Sequence, residues 1–99
     1  MAAELLLLAA AEQDLELAFA WYELRQPGLG REFLRSVESR LRSIQRSPEH
    51  CGYAERDFRR AIVRRFPYAI FYRFDGTTVT VYSVFHTSQD PEKWRQRLT

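Results

Sequence analysis

Four arginines, Arg59, Arg60, Arg64 and Arg65, fall within seven residues of the stretch RRAIVRRFPYAIFYRFDGTTVTVYSVFH, residues 59–86. A guanidinium is permanently charged and presents a planar fork of donors that fits phosphate and carboxylate oxygens. Such a run either keeps a strand edge solvated or forms an anion-binding surface for nucleic acid or acidic protein. Four in seven favours the second reading. Arg95 and Arg97 offer further contacts of the same kind, with a solvated tail as the alternative. Trp94 beside them is read as a cap on the core in preference to a base-stacking platform. Other chemistries lack their patterns: no phosphate loop, no G-x-S-x-G, no spaced metal ligands and no pair of catalytic carboxylates. His50 and Cys51 are adjacent ligand types without spaced partners, which reads as a loop, not a metal site. No metal or cofactor is expected.

The 99 residues make a single domain, 1–99, able to bury one modest core. With 45% apolar and 14% aromatic residues, the chain is expected to fold. Net charge is only +2, but it is unevenly spread. Residues 1–50 hold six arginines against eight acids, and residues 51–99 hold nine cations against five. The basic character belongs to the second half. Cys51 is the only cysteine, so no intramolecular disulfide can form. The apolar run Leu5 to Ala11 is too short to span a membrane and is flanked by Glu4 and Glu12, unlike a signal peptide. A cytoplasmic protein is expected.

The elements that must position these side chains follow from periodicity. Ala10 to about Arg25 reads as a helix with Leu15, Phe19 and Tyr22 on one stripe, extended by Ala11 and Ala18. Leu17, Trp21 and Leu24 form a second stripe about 100° away. Contact with a neighbouring helix is its preferred reading, and a groove for a partner its second. Acids near the helix start suit the dipole, but no capping side chain stands near Ala9. QPGLG then makes a tight αα-hairpin into a helix over Leu29 to Gln45. Phe33, Val37, Leu41 and Ile44 are its buried stripe. Arg31, Arg35, Arg42 and Arg46 face away among Glu32 and Glu38, which predicts a solvated face laced by i,i+3 ion pairs. Residues 48–58 read as a loop.

A strand through Arg60 to Arg64, a turn at Pro67 and a central strand Tyr68 to Phe74 come next. Asp75-Gly76 predicts a two-residue primed turn into Thr78 to His86. In that last strand, alternation sets Val79, Val81, Ser83 and Phe85 against Thr80, Tyr82, Val84 and His86. Asp90-Pro91-Glu92 starts a short helix. Two helices are thus expected on one face of an antiparallel sheet, the other face being free. Ala3 to Leu8 reads as helix by propensity or as a short buried strand.

Three segments, DLELAFAWYELRQPGLGREFLRSVESRLRSI, RRAIVRRFPYAIFY and VFHTSQDPEKWRQR, together resemble the RelE/ParE superfamily of bacterial type II toxins, over about Ala3 to Leu98. The resemblance implies that Ala3 to Leu8 is a strand of the sheet. The fold becomes α+β, βααβββ, with the αα-hairpin on one face of a small antiparallel sheet and a short C-terminal helix. It also implies a toxin held in a hetero-oligomer by a cognate, acidic-leaning antitoxin, with Leu17, Trp21 and Leu24 as the antitoxin-binding stripe.

Two activities diverge within the superfamily. RelE-like members cut messenger RNA on the ribosome, clamping the scissile phosphate with arginines and protonating the leaving oxygen. Their pattern places an arginine at Ala69 and often a tyrosine at Thr87, so only His86, with Arg64 or Arg65, could serve here. ParE-like members, the branch associated with plasmid stabilisation, inhibit DNA gyrase without a nuclease site. The PGLG, RRFPY and DP-x-x-W features resemble that branch. A gyrase inhibitor is therefore expected, with Arg59, Arg60, Arg64, Arg65, His86, Trp94, Arg95 and Arg97 as target-binding candidates. The alternatives are a ribosome-dependent endoribonuclease and a non-toxic binding remnant.

Overall fold

The computed structural model describes residues 2–98. Its elements run β1 (Glu4–Leu7), α1 (Ala9–Arg25), α2 (Leu29–Arg46), β2 (Tyr53–Glu55), β3 (Phe58–Ile62), β4 (Tyr68–Phe74), β5 (Thr78–His86) and α3 (Pro91–Arg97). The five strands form one sheet in the order β1-β5-β4-β3-β2. The N-terminal segment is the strand that the resemblance implies, and the α+β architecture holds. One detail differs from the antiparallel expectation: β1 lies parallel to β5, with Leu5 opposite Val79 and Leu7 opposite Val81. Parallel neighbours need a long crossover, and here the whole domain between β1 and β5 supplies it.

The αα-hairpin is held by its connection. No side chain caps α1, as its sequence predicts, and Leu8 occupies the N-cap position. At the start of α2, Glu23 Oε1 accepts from the backbone N–H of both Gly28 and Gly30, each at 2.9 Å. One carboxylate thus satisfies two donors that the helix leaves unpaired. Gly28 adopts φ +91°, where a side chain would be strained. A Cβ on Gly30 would lie 2.8 Å from the Phe19 carbonyl oxygen, so this glycine lets the two helices touch. Phe33, Val37, Leu41 and Ile44 are buried as their spacing predicts. With Tyr22, Phe66, Tyr68 and the inward residues of the sheet they make the main core. Rings in this cluster meet edge-on, Tyr22 to Phe66 and Phe33 to Tyr68 each at 5.0 Å.

Four expectations are corrected. Residues 48–58 are not all loop, since β2 pairs with β3 through Tyr53 and Glu55. The turn after β4 is shifted by one residue: Asp75 N–H bonds the Thr78 carbonyl, so Gly76 and Thr77 are the central pair. Gly76 takes φ +99°, the position where a primed turn admits glycine first. In β5 the alternation breaks, because Phe71 pairs Ser83 while Tyr72 pairs Val81. Tyr82 is an extra, bulged residue, so Val84 joins Val79 and Val81 in the main core and Phe85 moves to the other face. That other face is not free either. α3 lays Trp94 on Phe71, ring centroids 4.6 Å apart, above Phe58, Ala69 and Leu98. The Asp90 side chain accepts from Glu92 N–H and Pro91 opens the helix, as the local pattern predicts.

Candidate functional site

Strand geometry separates the four arginines. Arg59 pairs across with Tyr72 and shares the helix-side face. Its Nη1 donates to the carbonyls of Cys51 (2.6 Å) and Glu49 (3.1 Å), and its Nη2 to Tyr53 Oη (2.7 Å). These bonds pin the loop before β2, and they occupy the guanidinium within the fold. Behind it, burial pushes the Tyr72 phenol well above its usual range, and its hydroxyl donates to the Pro48 carbonyl. Cys51 is buried, with Arg40 Nη2 3.3 Å from its sulfur. Arg65, at φ +71°, pairs with Glu32 at 3.0 Å. Arg60 and Arg64 are exposed, and among the described residues neither has an acidic group within ion-pair distance.

The C-terminal candidates also turn inward. Trp94 is only 9% exposed, so it is a core residue in this geometry and offers no free ring. Arg95 pairs with Glu55 at 3.1 Å and Glu92 at 3.9 Å. Arg97 makes a fork to Asp14, Nη2 to Oδ2 at 2.8 Å and Nη1 to Oδ1 at 3.2 Å. Asp14 Oδ2 also accepts from Val84 N–H at 2.9 Å, so one carboxylate ties α1, β5 and α3 together.

His86 closes β5. Ser88 N–H donates to its Nδ1 at 3.1 Å, with Ser88 Oγ at 2.7 Å, which assigns the proton of the neutral ring to Nε2. The ring stands edge-on to Tyr68 at 5.2 Å. It borders a shallow pocket of about 60 Å³ shared with Arg60, Ala69, Thr87 and Trp94. That space holds about two waters and is far below the several hundred Å³ of ordinary ligand sites. Arg64 and Arg65 line a different surface. The structure thus brings Arg60, not the two arginines expected with it, beside His86.

On the other side of His86, a hollow of about 450 Å³ is bordered by Asp14, Leu17, Trp21, Tyr68 and Gln89. It continues into the second stripe of α1. Leu17 is 66% exposed, Trp21 50% and Leu24 89%. α2 packs on the first stripe, so the preferred reading of the second as a helix contact is overturned. Arg25 sits 4.2 Å above the Trp21 ring.

A third feature was not foreseen. Between α2 and the end of β3 runs a groove of about 1100 Å³ lined by arginines and serines. Glu32, expected to pair with Arg35, pairs instead with Arg65 from the β3–β4 connection. The i,i+3 network predicted for α2 is absent among the described residues, where no ion pair involves Arg35 or Glu38. The i,i+4 placement of Arg31 and Arg35 was visible beforehand, but their proximity to Arg64 was not.

No group of three or more metal-ligating side chains occurs among the described residues, and no helix is long and apolar enough to cross a membrane. No curated protein sequence matches the chain. The fold is similar to that of the solved chromosomal ParDE toxin–antitoxin system from P. aeruginosa, with TM-score 0.78 and 16% identity over 87% of this chain and 97% of that one. It is also similar to the RelBE2 toxin–antitoxin complex from Mycobacterium tuberculosis, with TM-score 0.61 and 23% identity over 87% of this chain and 99% of that one. At these identities the two likenesses speak for the fold. The sequence relation is carried by residues 5–91, which match the profile of the ParE toxin of the type II toxin–antitoxin system parDE. The chain therefore belongs to the ParE toxin family, within the RelE/ParE superfamily of type II toxins.

Proposed function

We propose that this toxin acts by binding protein, with DNA gyrase as its target, and is neutralised by a cognate antitoxin laid along Leu17, Trp21 and Leu24. The observation that carries the choice against RNA cleavage is the pocket at His86. Its volume is about 60 Å³, Ala69 stands where a phosphate-clamping arginine would be needed, and Thr87 offers no aromatic ring. A nuclease needs room for a scissile phosphate and groups for both ends of the proton transfer. Arg60 and His86 alone do not make that set. Of the arginines expected at the target, Arg60 and Arg64 are the two that no ion pair or side-chain hydrogen bond engages among the described residues.

The α1 stripe supports the antitoxin reading because it has the form of a helix-in-groove anchor. Apolar side chains recur at i, i+4 and i+7, with an aromatic residue at the centre and a cation at the rim. Large exposed apolar patches on small proteins mark interaction surfaces.

Induced expression in a bacterial host, without and with the antitoxin, tests the function. The expected result is growth arrest with relaxation of plasmid supercoiling while protein synthesis continues, and rescue by the antitoxin. Immediate translation arrest with cut messages, abolished by His86→Ala, would establish the endoribonuclease instead. Unaffected growth would mark a non-toxic binding remnant.

A further inference from the structure

The groove between α2 and the end of β3, about 1100 Å³ in volume, is strongly cationic. Six arginines line it, Arg31, Arg35, Arg40, Arg46, Arg64 and Arg65, against the single carboxylate of Glu32. Two of the six are used by the fold. Arg65 pairs with Glu32, and Arg40 donates to the Ile62 carbonyl at 2.8 Å and to Ser43 Oγ at 2.7 Å. Arg31, Arg35, Arg46 and Arg64 have no acidic partner within ion-pair distance among the described residues. Ser36, Ser39 and Ser43 also line it, the Ser43 hydroxyl donating to the Arg40 carbonyl at 2.8 Å.

We infer that this groove binds the phosphate backbone of nucleic acid, without regard to sequence. Three observations separate that occupant from an acidic peptide. Peptide grooves rely on buried apolar anchors, and here Ile62 is the only large exposed apolar side chain in the lining. The anchoring surface for a peptide lies on α1, in a hollow that shares no residue with this one. The remaining cations are all arginines, interleaved with serines, which is the donor set that phosphate oxygens take. The spacing also fits. At 1.5 Å per residue, Arg31 and Arg46 lie about 22 Å apart along α2, the length of about six phosphates of one strand. No aromatic side chain lines the groove, so it offers phosphate contacts without base stacking. The groove lies away from His86 and shares Arg64 with the proposed target contact; the nucleic-acid binding assay reads no toxicity, so its outcome is separable from which target the toxin inhibits.

Fluorescence anisotropy of the purified chain with labelled single-stranded DNA, single-stranded RNA and duplex DNA, each about 20 residues long, tests it. Four phosphate contacts predict a slope of log K against log salt of about −2.8 to −3.6, a 50- to 150-fold loss of affinity between about 50 and 200 mM salt. The variant Arg31→Gln/Arg35→Gln/Arg46→Gln keeps good helix formers on an exposed face. It should retain its circular dichroism, bind at least about tenfold more weakly and flatten the slope to about −1. Lys93→Gln, an exposed cation on α3 outside the groove, should bind like the parent. Comparable binding of DNA and RNA identifies the backbone itself as the ligand, and binding of RNA alone assigns the contact to the 2′-hydroxyl strand. Absence of saturable binding at low salt would overturn the inference. So would equal losses in the triple variant and Lys93→Gln, or equal affinity for polyglutamate of matched charge, which would make the groove a protein-docking site.

Discussion

Replacing Asp14 by alanine should destabilise the toxin more than any other single change to a surface-reaching side chain. Asp14 is 13% exposed and Arg97 32%, so their fork lies largely out of water. The same carboxylate accepts the N–H of Val84, a residue 3% exposed. Alanine leaves that donor unpaired, which costs about 1–3 kcal/mol. It also removes a partly exposed ion pair with two hydrogen bonds, discounted for solvent to about 1 kcal/mol. The expected loss is about 2–4 kcal/mol, a large part of a small domain's stability and about 10–25 °C in melting midpoint. Asp14→Asn keeps an oxygen for Val84 N–H and should lose only about 1 kcal/mol. Urea unfolding of Asp14→Ala, Asp14→Asn, Arg97→Met and the double variant would separate the terms, with an Asp14–Arg97 coupling of about 0.5–3 kcal/mol. An alanine variant within about 0.5 kcal/mol of the parent would refute the reasoning. So would an asparagine variant as damaged as alanine, since Val84 N–H then contributes nothing.

Trp21→Ala should cost about 1–2 kcal/mol of stability, because half of the residue is buried with its ring edge-on to Tyr22, and weaken antitoxin binding by about 2 kcal/mol, roughly 30-fold in Kd. Calorimetry with the cognate antitoxin checks this, and unchanged affinity would move the interface elsewhere. Gly30→Ala should cost about 1–3 kcal/mol, since the new Cβ meets the Phe19 carbonyl, which cannot move without shifting α1. Denaturant midpoints read that loss directly. Asp75 accepts from the N–H groups of Thr77 and Thr78, which hold its carboxyl below the usual 3.8. Folding favours the ionised form, so the added stability is present above that usual value and is lost as pH falls through the lower folded value. Asp75→Asn should therefore be less stable than the parent at neutral pH, with the gap closing in acid. Thermal melts across pH that show a constant gap would count against the turn's hydrogen bonds.

The fold was legible where side chains repeat on one face. The stripe Phe33, Val37, Leu41, Ile44 has no competing apolar face, so its burial could be read from spacing alone. Asp90-Pro91 was equally plain, because a cap and a preset φ act locally. The bulge at Tyr82 was not legible. It is a backbone event between Val81 and Ser83 without glycine to mark it, and it reverses the faces of every residue after it. β2 was missed because three residues cannot display an alternation. The second α1 stripe posed another problem. Leu17, Trp21 and Leu24 are apolar at helical spacing, and spacing does not say whether anything covers them.

The arginine run shows why density along a chain is not density in space. Successive strand residues point to opposite faces, so Arg59 turns to the helix side and locks a loop, while Arg60 stands beside the α3 pocket. Arg64 and Arg65 follow the end of β3, where the chain turns, and reach toward α2 instead. No single surface can collect all four. Charge concentrates where a helix repeats a residue on one side every turn and a strand end delivers another to it. Arg31, Arg35 and Arg46 supply the first part, and Arg64 the second. For the same reason, removing Arg60 alone removes a lone charge, whereas removing Arg35 lowers the potential felt by every neighbour in the groove. The feature that drew attention to β3 in the sequence therefore owes most of its electrostatic weight to α2, which on its own reads as an ordinary solvated helix face.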